Sequence, residues 1–179
     1  PAERQQLRTD LGLDQPFHAQ FARFAANALR GEFGLSYRQS RKVSTLLRER
    51  LPATLELSFA AAVLALAVGI PMGVYTALRR RGLLSGLFLT VSLLGVSLPT
   101  FLIGILLIML FAVQLGWLPS YGRGETVTIG WWTSGFLTLD GLRHLVLPAI
   151  TLCLFQTTLI MRLVRAEMLE VLRTDYIRF

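Results

Sequence analysis

The stretch LELSFAAAVLALAVGIPMGVYTAL, residues 55–78, decides the fold class of this chain. Glu56 is its single charged residue, and a helix of this length reaches roughly 36 Å at about 1.5 Å per residue. That length crosses a hydrocarbon core of about 30 Å with some tilt. Pro71 lies within the stretch, and three arginines at 79–81 follow it directly. We therefore predict a membrane-spanning helix, with Glu56 at the headgroup level, where a carboxylate avoids the cost of burial.

Two further apolar runs lie after this stretch. Residues 83–115 contain no charged side chain, and as one straight helix they would reach roughly 50 Å, too long for one upright crossing. Pro99, between Ser97 and Thr100, predicts a short helix, a bend, and then the main span. Residues 142–164 predict a third span. The fold class is therefore an all-α, multi-pass membrane helical bundle.

The first fifty residues are polar and amphipathic. A short helix is predicted after Pro16, with three phenylalanines on one face, and the glycines of GEFGLS at 31–36 predict a turn after it. A second short amphipathic helix is predicted around residues 43–51. Both helices would suit the membrane surface or the outer end of a helical bundle.

Composition agrees with a membrane protein. Hydrophobic residues make up 53% of the chain and charged residues 16%, and the mean hydropathy is +0.54. The net charge of +7 comes from basic residues scattered at the ends of apolar runs, which favours a positive-inside membrane protein over a nucleic-acid binder. Cys153 is the single cysteine, which excludes a disulfide framework or a metal cluster and predicts a packing role.

The arginines predict the orientation. Residues 79–81 fall in a very short loop, where positive charge indicates the cytoplasm, and Arg162 and Arg165 reach the same side after two further crossings. Residues 1–50 and the Trp-rich loop at 116–141 would then lie outside. This parity predicts a further span before residue 1.

Seven blocks, in order and with crossings between them, carry a family resemblance. They are LGLDQPF (11–17), GEFGLS (31–36), RLPATLELS (50–58), SLPTFLIGILLI (97–108), GWLP (116–119), HLVLPAITL (144–152) and MRLVRAEMLEVLRTDYIRF (161–179). Together they resemble the permease subunit of dipeptide/oligopeptide ABC importers, a type that also includes nickel and glutathione carriers. The resemblance implies a six-span fold, in which the spans here are the second to the fourth. It also implies that residues 1–50 are an extracytoplasmic segment, 51–165 the transmembrane permease domain, and 166–179 the start of a cytoplasmic loop that docks on an ATPase.

The same resemblance implies the partners. A second homologous permease subunit would pair with this one, two ATPase subunits would bind at the cytoplasmic loops, and an extracytoplasmic solute-binding protein would deliver the solute. The chain would lie in the lipid bilayer of the bacterial inner membrane and bind no nucleic acid. No cofactor and no metal are expected in this chain, since ATP and Mg²⁺ would be bound by the ATPases.

The C-terminal stretch supplies the first candidate site. Within residues 161–179, one face of the predicted helix is apolar and indicates a protein partner. This face is formed by Met168, Leu169, Leu172, Tyr176 and Phe179. The resemblance assigns the lead-in to the ATPase-docking loop to Glu170, Arg173, Asp175, Tyr176 and Arg178. The alternative is a solvated helix end, with ion pairs from Glu170 to Arg173 and from Asp175 to Arg178 that stabilise the helix by only tenths of a kcal/mol, roughly.

Other polar residues are candidates for the translocation path or for moving parts. Those for the path are Gln156, Thr157, Thr158, Ser97 and Thr100. Ser and Thr also hold packed membrane helices together, so a packing role stays open. The prolines Pro99 and Pro148 mark hinges or static kinks. Trp117 and Pro119 would meet the binding protein or simply anchor the loop at the membrane interface.

Catalysis is not expected in this chain. It contains no G-x-x-x-x-G-K-[ST] phosphate loop, and its two histidines, His18 and His144, form no H-E-x-x-H motif. His144, beside Arg143 at the outer end of a span, is predicted to have a capping or interfacial role. We therefore predict the non-catalytic permease subunit of an ATP-driven importer of peptides or a related small solute. The alternatives are an ion-coupled secondary transporter, which should carry ionisable groups inside its spans, and a non-transporting membrane scaffold.

Overall fold

The computed structural model of the chain describes residues 15–36 and 38–173, with the exception of the side chain of Leu94. The chain divides into two compact units, Pro1–Leu51 and Pro52–Phe179. The predicted assignment of residues 1–50 to the outside of the membrane stays a prediction.

The first unit contains an amphipathic helix and a small hairpin. Helix α1, Phe17–Leu29, begins after Pro16 as predicted, and its phenylalanine face is exposed. Strands β1, Leu35–Ser36, and β2, Arg41–Lys42, pair antiparallel. Gly31 and Gly34 precede them with φ of +79° and +81°, a left-handed conformation that favours glycine, so the predicted turn is confirmed. Nearby, a hydrogen bond to Glu49 raises the pKa of Arg41 above its ordinary value.

Helix α2, Val43–Leu78, joins two predicted elements into one. The prediction of a separate amphipathic helix at 43–51 was wrong, because Pro52 does not end the helix. A proline removes one backbone donor and crowds the preceding turn, but a long helix with other contacts continues through it. Pro71 is accommodated in the same way, and the helix ends at Leu78, where the sequence predicted. Its length and hydropathy suffice to cross a membrane.

The second apolar run is broken at Pro99, as predicted. Helix α3, Leu83–Ser97, is followed by helix α4, Thr100–Leu107, which continues as a π-helical stretch, Ile108–Gln114. The two arms are bent by 108°. Each arm reaches roughly 22 Å, less than a bilayer core, so the pair forms one broken span or a re-entrant loop. The predicted short helix and longer main span are instead two arms of similar length.

A second hairpin lies in the Trp-rich loop. Strands β3, Val127–Ile129, and β4, Trp132–Ser134, pair antiparallel, with Ile129 opposite Trp132. The all-α prediction contained neither hairpin, because ladders of two or three residues are too short to show an alternating pattern.

Helix α5, Leu139–Val171, contains the predicted third span and extends beyond both its ends. Its N-terminus is capped by Thr138, whose hydroxyl oxygen accepts a hydrogen bond of 3.0 Å from the N–H of Gly141. Pro148 lies inside α5 without ending it. Its length and hydropathy also suffice to cross a membrane.

Helices α2 and α5 meet along a seam of small residues. On α2 these residues are buried and recur four apart: Ala61, Ala65, Gly69, Gly73 and Ala77. A Cβ at Gly73 would come within 2.7 Å of the Cβ of Val164. Small residues let two membrane helices approach this closely and gain dispersion contacts along their length. Cys153 packs against Ala61 and Ala65, so its predicted packing role is confirmed.

The seam joins two parallel helices. Glu56, early in α2, contacts Gly135 just before α5, whereas Thr76, late in α2, contacts Arg165 late in α5. Two parallel helices require the chain to return from the end of the first to the start of the second, and the bent α3–α4 pair lies in this return. This agrees with the prediction that residues 79–81 lie on the same side as Arg162 and Arg165. We name the two ends by their residues: the loop end contains Glu56 and residues 116–144, and the arginine end contains Thr76, residues 79–81, Arg162 and Arg165.

Candidate functional site at the loop end of the helix bundle

Glu56 is buried at the loop end, with 4% of its surface exposed. Its Oε2 accepts hydrogen bonds from the N–H of Gly135 at 3.0 Å and from Nη2 of Arg123 at 3.3 Å, and its Oε1 accepts one from Nε1 of Trp132 at 3.2 Å. The expectation that Glu56 avoids burial was therefore wrong, and its place at the headgroup level stays a prediction. A carboxylate can be buried when a cation and hydrogen-bond donors replace its water, and the folded loop supplies both.

Arg123 connects Glu56 to the second hairpin. Besides the carboxylate, its guanidinium donates to the hydroxyl of Thr133 at 3.2 Å and to the carbonyl of Thr133 at 3.0 Å. Its side chain is 35% exposed, against 4% for Glu56. Arg123 thus fixes strand β4 to α2. Trp132 of the same strand donates to the same carboxylate, so β4 supplies a second side-chain contact to α2.

A second set of hydrogen bonds holds the loop to the start of α5. The N–H of Glu125 donates to Oδ2 of Asp140 at 2.8 Å, and the hydroxyl of Thr138 donates to the carbonyl of Glu125. Nδ1 of His144 lies 2.8 Å from the carbonyl oxygen of Asp140. Because a carbonyl only accepts, Nδ1 is the donor of this hydrogen bond. The contact lies in the first turns of α5 but leaves the free N–H groups of the helix N-terminus to Thr138, so the capping or interfacial role of His144 stays a prediction.

A cavity of about 390 Å³ lies beneath this loop, between α2, α4 and α5. Leu57, Ile108 and Leu147 line its apolar walls, and residues 119–122 of the loop line it too. A second cavity of about 100 Å³ shares Leu57 and His144 with the first and reaches Glu56 and Arg123. The buried ion pair therefore borders the cavities.

The three predicted path residues on α5 do not share one face. Thr157 and Thr158 are buried, and Gln156 is exposed. The carbonyl of Thr157 faces Gly69 of α2, and Oγ1 of Thr158 faces Gly95 of α3. This placement favours the packing alternative for both threonines. Gln156 alone of the three has an exposed side chain.

The predicted hinge and contact residues lie apart from one another. Ser97 and Thr100 flank the bend at Pro99, and the hydroxyl of Ser97 donates to the carbonyl of Leu93 at 2.8 Å. Pro148 and Pro119 both line the larger cavity.

Trp117, the other predicted contact residue for a binding protein, is 67% exposed. Its ring centroid lies 6.1 Å from that of Phe111. Within residues 15–36 and 38–173, no cluster of three His, Cys, Asp or Glu side chains is placed to hold a metal ion.

The arginine end contains the described part of the predicted docking lead-in. Helix α5 runs unbroken from the span to Val171, and the N–H of Arg173 donates to the carbonyl of Glu170 at 3.0 Å. Nη1 of Arg165 donates to the carbonyl of Thr76 at 3.0 Å and joins α5 to α2. The remaining predicted residues of the lead-in, Asp175, Tyr176 and Arg178, lie outside the described residues.

Several contacts at both ends were not predicted from the sequence. Glu56, Arg123, Trp132 and Arg165 were not among the candidate site residues. One signal was available for the first pair: Glu56 is the only charge in a span-length apolar run, and Arg123 is the only basic residue in the loop at 116–141. A buried carboxylate needs a cation, and this loop contains one.

Comparison with known proteins identifies a family and its relatives. The family described as "Binding-protein-dependent transport system inner membrane component" matches residues 69–179. A di/tripeptide transport system permease protein of Pseudomonas aeruginosa is 41% identical over 180 residues, covering 94% of this chain and 54% of the relative. A probable D,D-dipeptide transport system permease protein of Escherichia coli is 39% identical over 185 residues, covering 96% of this chain and 54% of the relative. The chain spans about half the length of these relatives.

Proposed function

Because the chain belongs to the family of binding-protein-dependent transport system inner membrane components, we propose that it acts as the membrane-spanning permease subunit of an ATP-driven importer. Peptides, or a related small solute, are the proposed cargo, since the relatives at 39% and 41% identity are named as dipeptide and di/tripeptide permeases. The bacterial inner membrane is the proposed location, with the loop end outside and the arginine end in the cytoplasm.

One observation above the others supports a mechanism in which a push on the end of α5 moves the helix bundle. Helix α5 continues without a break from the span into the start of the predicted docking lead-in, and it packs against the parallel helix α2 along the small-residue seam. Closely packed helices move as units, because their contacts cannot deform continuously. A push on residues 162–179 would therefore move α5 and α2 together at the loop end and shift the bundle between two states.

The proposed partners follow from the family and from the placement of the predicted residues. A second related permease would complete the pathway, and we propose that the exposed side chain of Gln156 lines it. Two ATPase subunits would bind ATP and Mg²⁺ and press on the docking lead-in. An extracytoplasmic solute-binding protein would meet the loop end near Trp117.

The secondary-transporter alternative would require an ionisable group that exchanges ions. Glu56 is the buried carboxylate among the described residues of the spans, but it already accepts three hydrogen bonds, one of them from a cation. This saturation argues against a carboxylate that takes up and releases protons during transport.

Reconstitution of the complete complex in liposomes tests the proposal. Labelled di- and tripeptides should accumulate only when ATP, Mg²⁺ and the binding protein are present. A complex whose ATPase subunits lack the phosphate-loop lysine is the control and should be inactive. Uptake that persists with these inactive ATPases and follows an imposed ion gradient would contradict the proposal.

A further inference from the structure

We infer that the Glu56–Arg123 ion pair is a latch that holds residues 119–122 over the cavity between α2, α4 and α5, and that breaking the pair opens this cavity at the loop end. The inference concerns the conformation of the loop and does not depend on the cargo proposed above.

The covering segment is anchored on both sides. Before it, the N–H groups of Trp117 and Leu118 donate to the carbonyl of Phe111 at 2.9 and 3.3 Å. Directly after it comes Arg123, whose guanidinium contacts Glu56 and Thr133. The segment is thus held between the end of the π-helical stretch and the latch.

Glycines flank the latch and give the loop freedom to move once the latch is broken. Gly122 and Gly124, on either side of Arg123, have φ of +93° and +65°. Other residues rarely adopt these conformations, whereas glycine rotates through them readily. Gly122 and Gly124 therefore leave the backbone on either side of Arg123 adaptable, and the side-chain contacts of Arg123 restrain it.

Burial makes Glu56 the stronger half of the latch. Its carboxylate is 4% exposed and receives three donors from the loop, so water cannot replace them while the loop stays in place. The other anchor of the loop, from Glu125 to Asp140, uses a carboxylate whose side chain is 46% exposed. Water replaces that contact more readily.

Glu56→Gln is the sharpest variant, because glutamine has the volume of glutamate. Its amide oxygen, in the place of Oε2, still accepts from the N–H of Gly135, but its NH₂ group, in the place of Oε1, then faces the Nε1–H donor of Trp132. The variant loses the attraction to Arg123 and gains an unfavourable donor–donor contact without leaving a hole. Arg123→Gln instead removes the charge of the partly exposed partner, Arg123.

Accessibility of a cavity residue measures the opening. Leu147 lines the cavity and is 4% exposed. In the complete protein, within its complex and with Cys153→Ser as background, Leu147→Cys should react slowly with a membrane-impermeant maleimide added on the loop-end side. We expect Glu56→Gln and Arg123→Gln each to raise the reaction rate by about tenfold or more, because a broken buried pair strongly destabilises the closed state. Both substitutions together should add little to either one, since they break the same interaction.

Matched controls separate the latch from a general effect of charge. Glu125→Gln and Arg143→Gln each remove an exposed charge from the loop end and should leave the rate unchanged. Arg123→Lys keeps the cation and should restore most of the protection. Where Glu56→Gln lowers the amount of folded protein, Arg123→Gln decides the question. Slow labelling in a normally folded Arg123→Gln protein would overturn the inference, as would equal acceleration by the control variants.

Discussion

The loop end and the arginine end of the bundle are joined by contacts of different strength. At the loop end, α2 is tied to the loop through a buried carboxylate that receives a cation, an indole N–H and a backbone N–H. At the arginine end, the half-buried Arg165 donates to a backbone carbonyl of α2. A buried charge is strongly destabilised when its partner leaves, whereas a guanidinium near the surface can form hydrogen bonds with water instead. The difference predicts that the contact at the loop end costs more free energy to break than the contact at the arginine end.

The largest expected effect comes from removing the buried carboxylate. Glu56→Ala leaves Arg123 and two N–H donors without their acceptor, so we expect the free energy of unfolding of the purified protein to fall by about 3 kcal/mol. Thermal or denaturant unfolding in detergent measures this loss. Glu125→Ala, at an exposed position in the same loop, is the control. An equal effect of the two substitutions would remove the distinction between buried and exposed contacts on which the comparison rests.

The seam between α2 and α5 connects the two ends, and Gly73 tests it. A Cβ at this position would lie 2.7 Å from the Cβ of Val164 and 2.9 Å from the carbonyl oxygen of Met161, so Gly73→Ala must push the helices apart. We expect a loss of about 2 kcal/mol in the free energy of unfolding. Gly86→Ala is the matched control, because that helical glycine has open space around its Cβ position. A Gly73→Ala protein as stable as the Gly86→Ala protein would show that the seam is looser than described.

Arg165→Ala should have a smaller effect at the arginine end. The substitution removes the hydrogen bond to the carbonyl of Thr76, and we expect a loss of about 1 kcal/mol. Arg162→Ala, at an exposed neighbouring position, should stay within about 0.5 kcal/mol of the unsubstituted protein. If Arg165→Ala destabilised the protein as much as Glu56→Ala, the two ends would be equally firm.

The smallest effect on stability is expected in the docking lead-in. Asp175→Asn and Tyr176→Ala should leave the free energy of unfolding unchanged within about 0.5 kcal/mol, because neither is proposed to hold the bundle together. Both should lower ATP-dependent uptake by the reconstituted complex. Normal uptake and normal coupling to ATP hydrolysis in both variants would contradict the role proposed for this segment.

The spans and their break were predictable because their signals are local. A long apolar run followed by arginines gave the end of α2, and Pro99 gave the bend between α3 and α4. Burial of Glu56 was not predictable in the same way, since its three donors lie 67, 76 and 79 residues further along the chain. The continuation of α2 through Pro52 likewise depends on the whole helix rather than on the local residue. Thus the spans can be predicted from local composition. The contact between Glu56 and Arg123 cannot, because it depends on the loop folding back onto α2.

Labelling of Leu147→Cys in the proposed complex tests the central claim most directly, because it compares the loop end in two states of the proposed ATPase partners. We expect the rate of modification from the loop-end side to differ between the nucleotide-free complex and a complex trapped with ATP, Mg²⁺ and vanadate, since a displacement at the arginine end should reach the cavity through α2 and α5. Gly73→Ala should reduce that difference. Identical labelling rates in the two nucleotide states, in a complex that hydrolyses ATP and transports normally, would contradict the account.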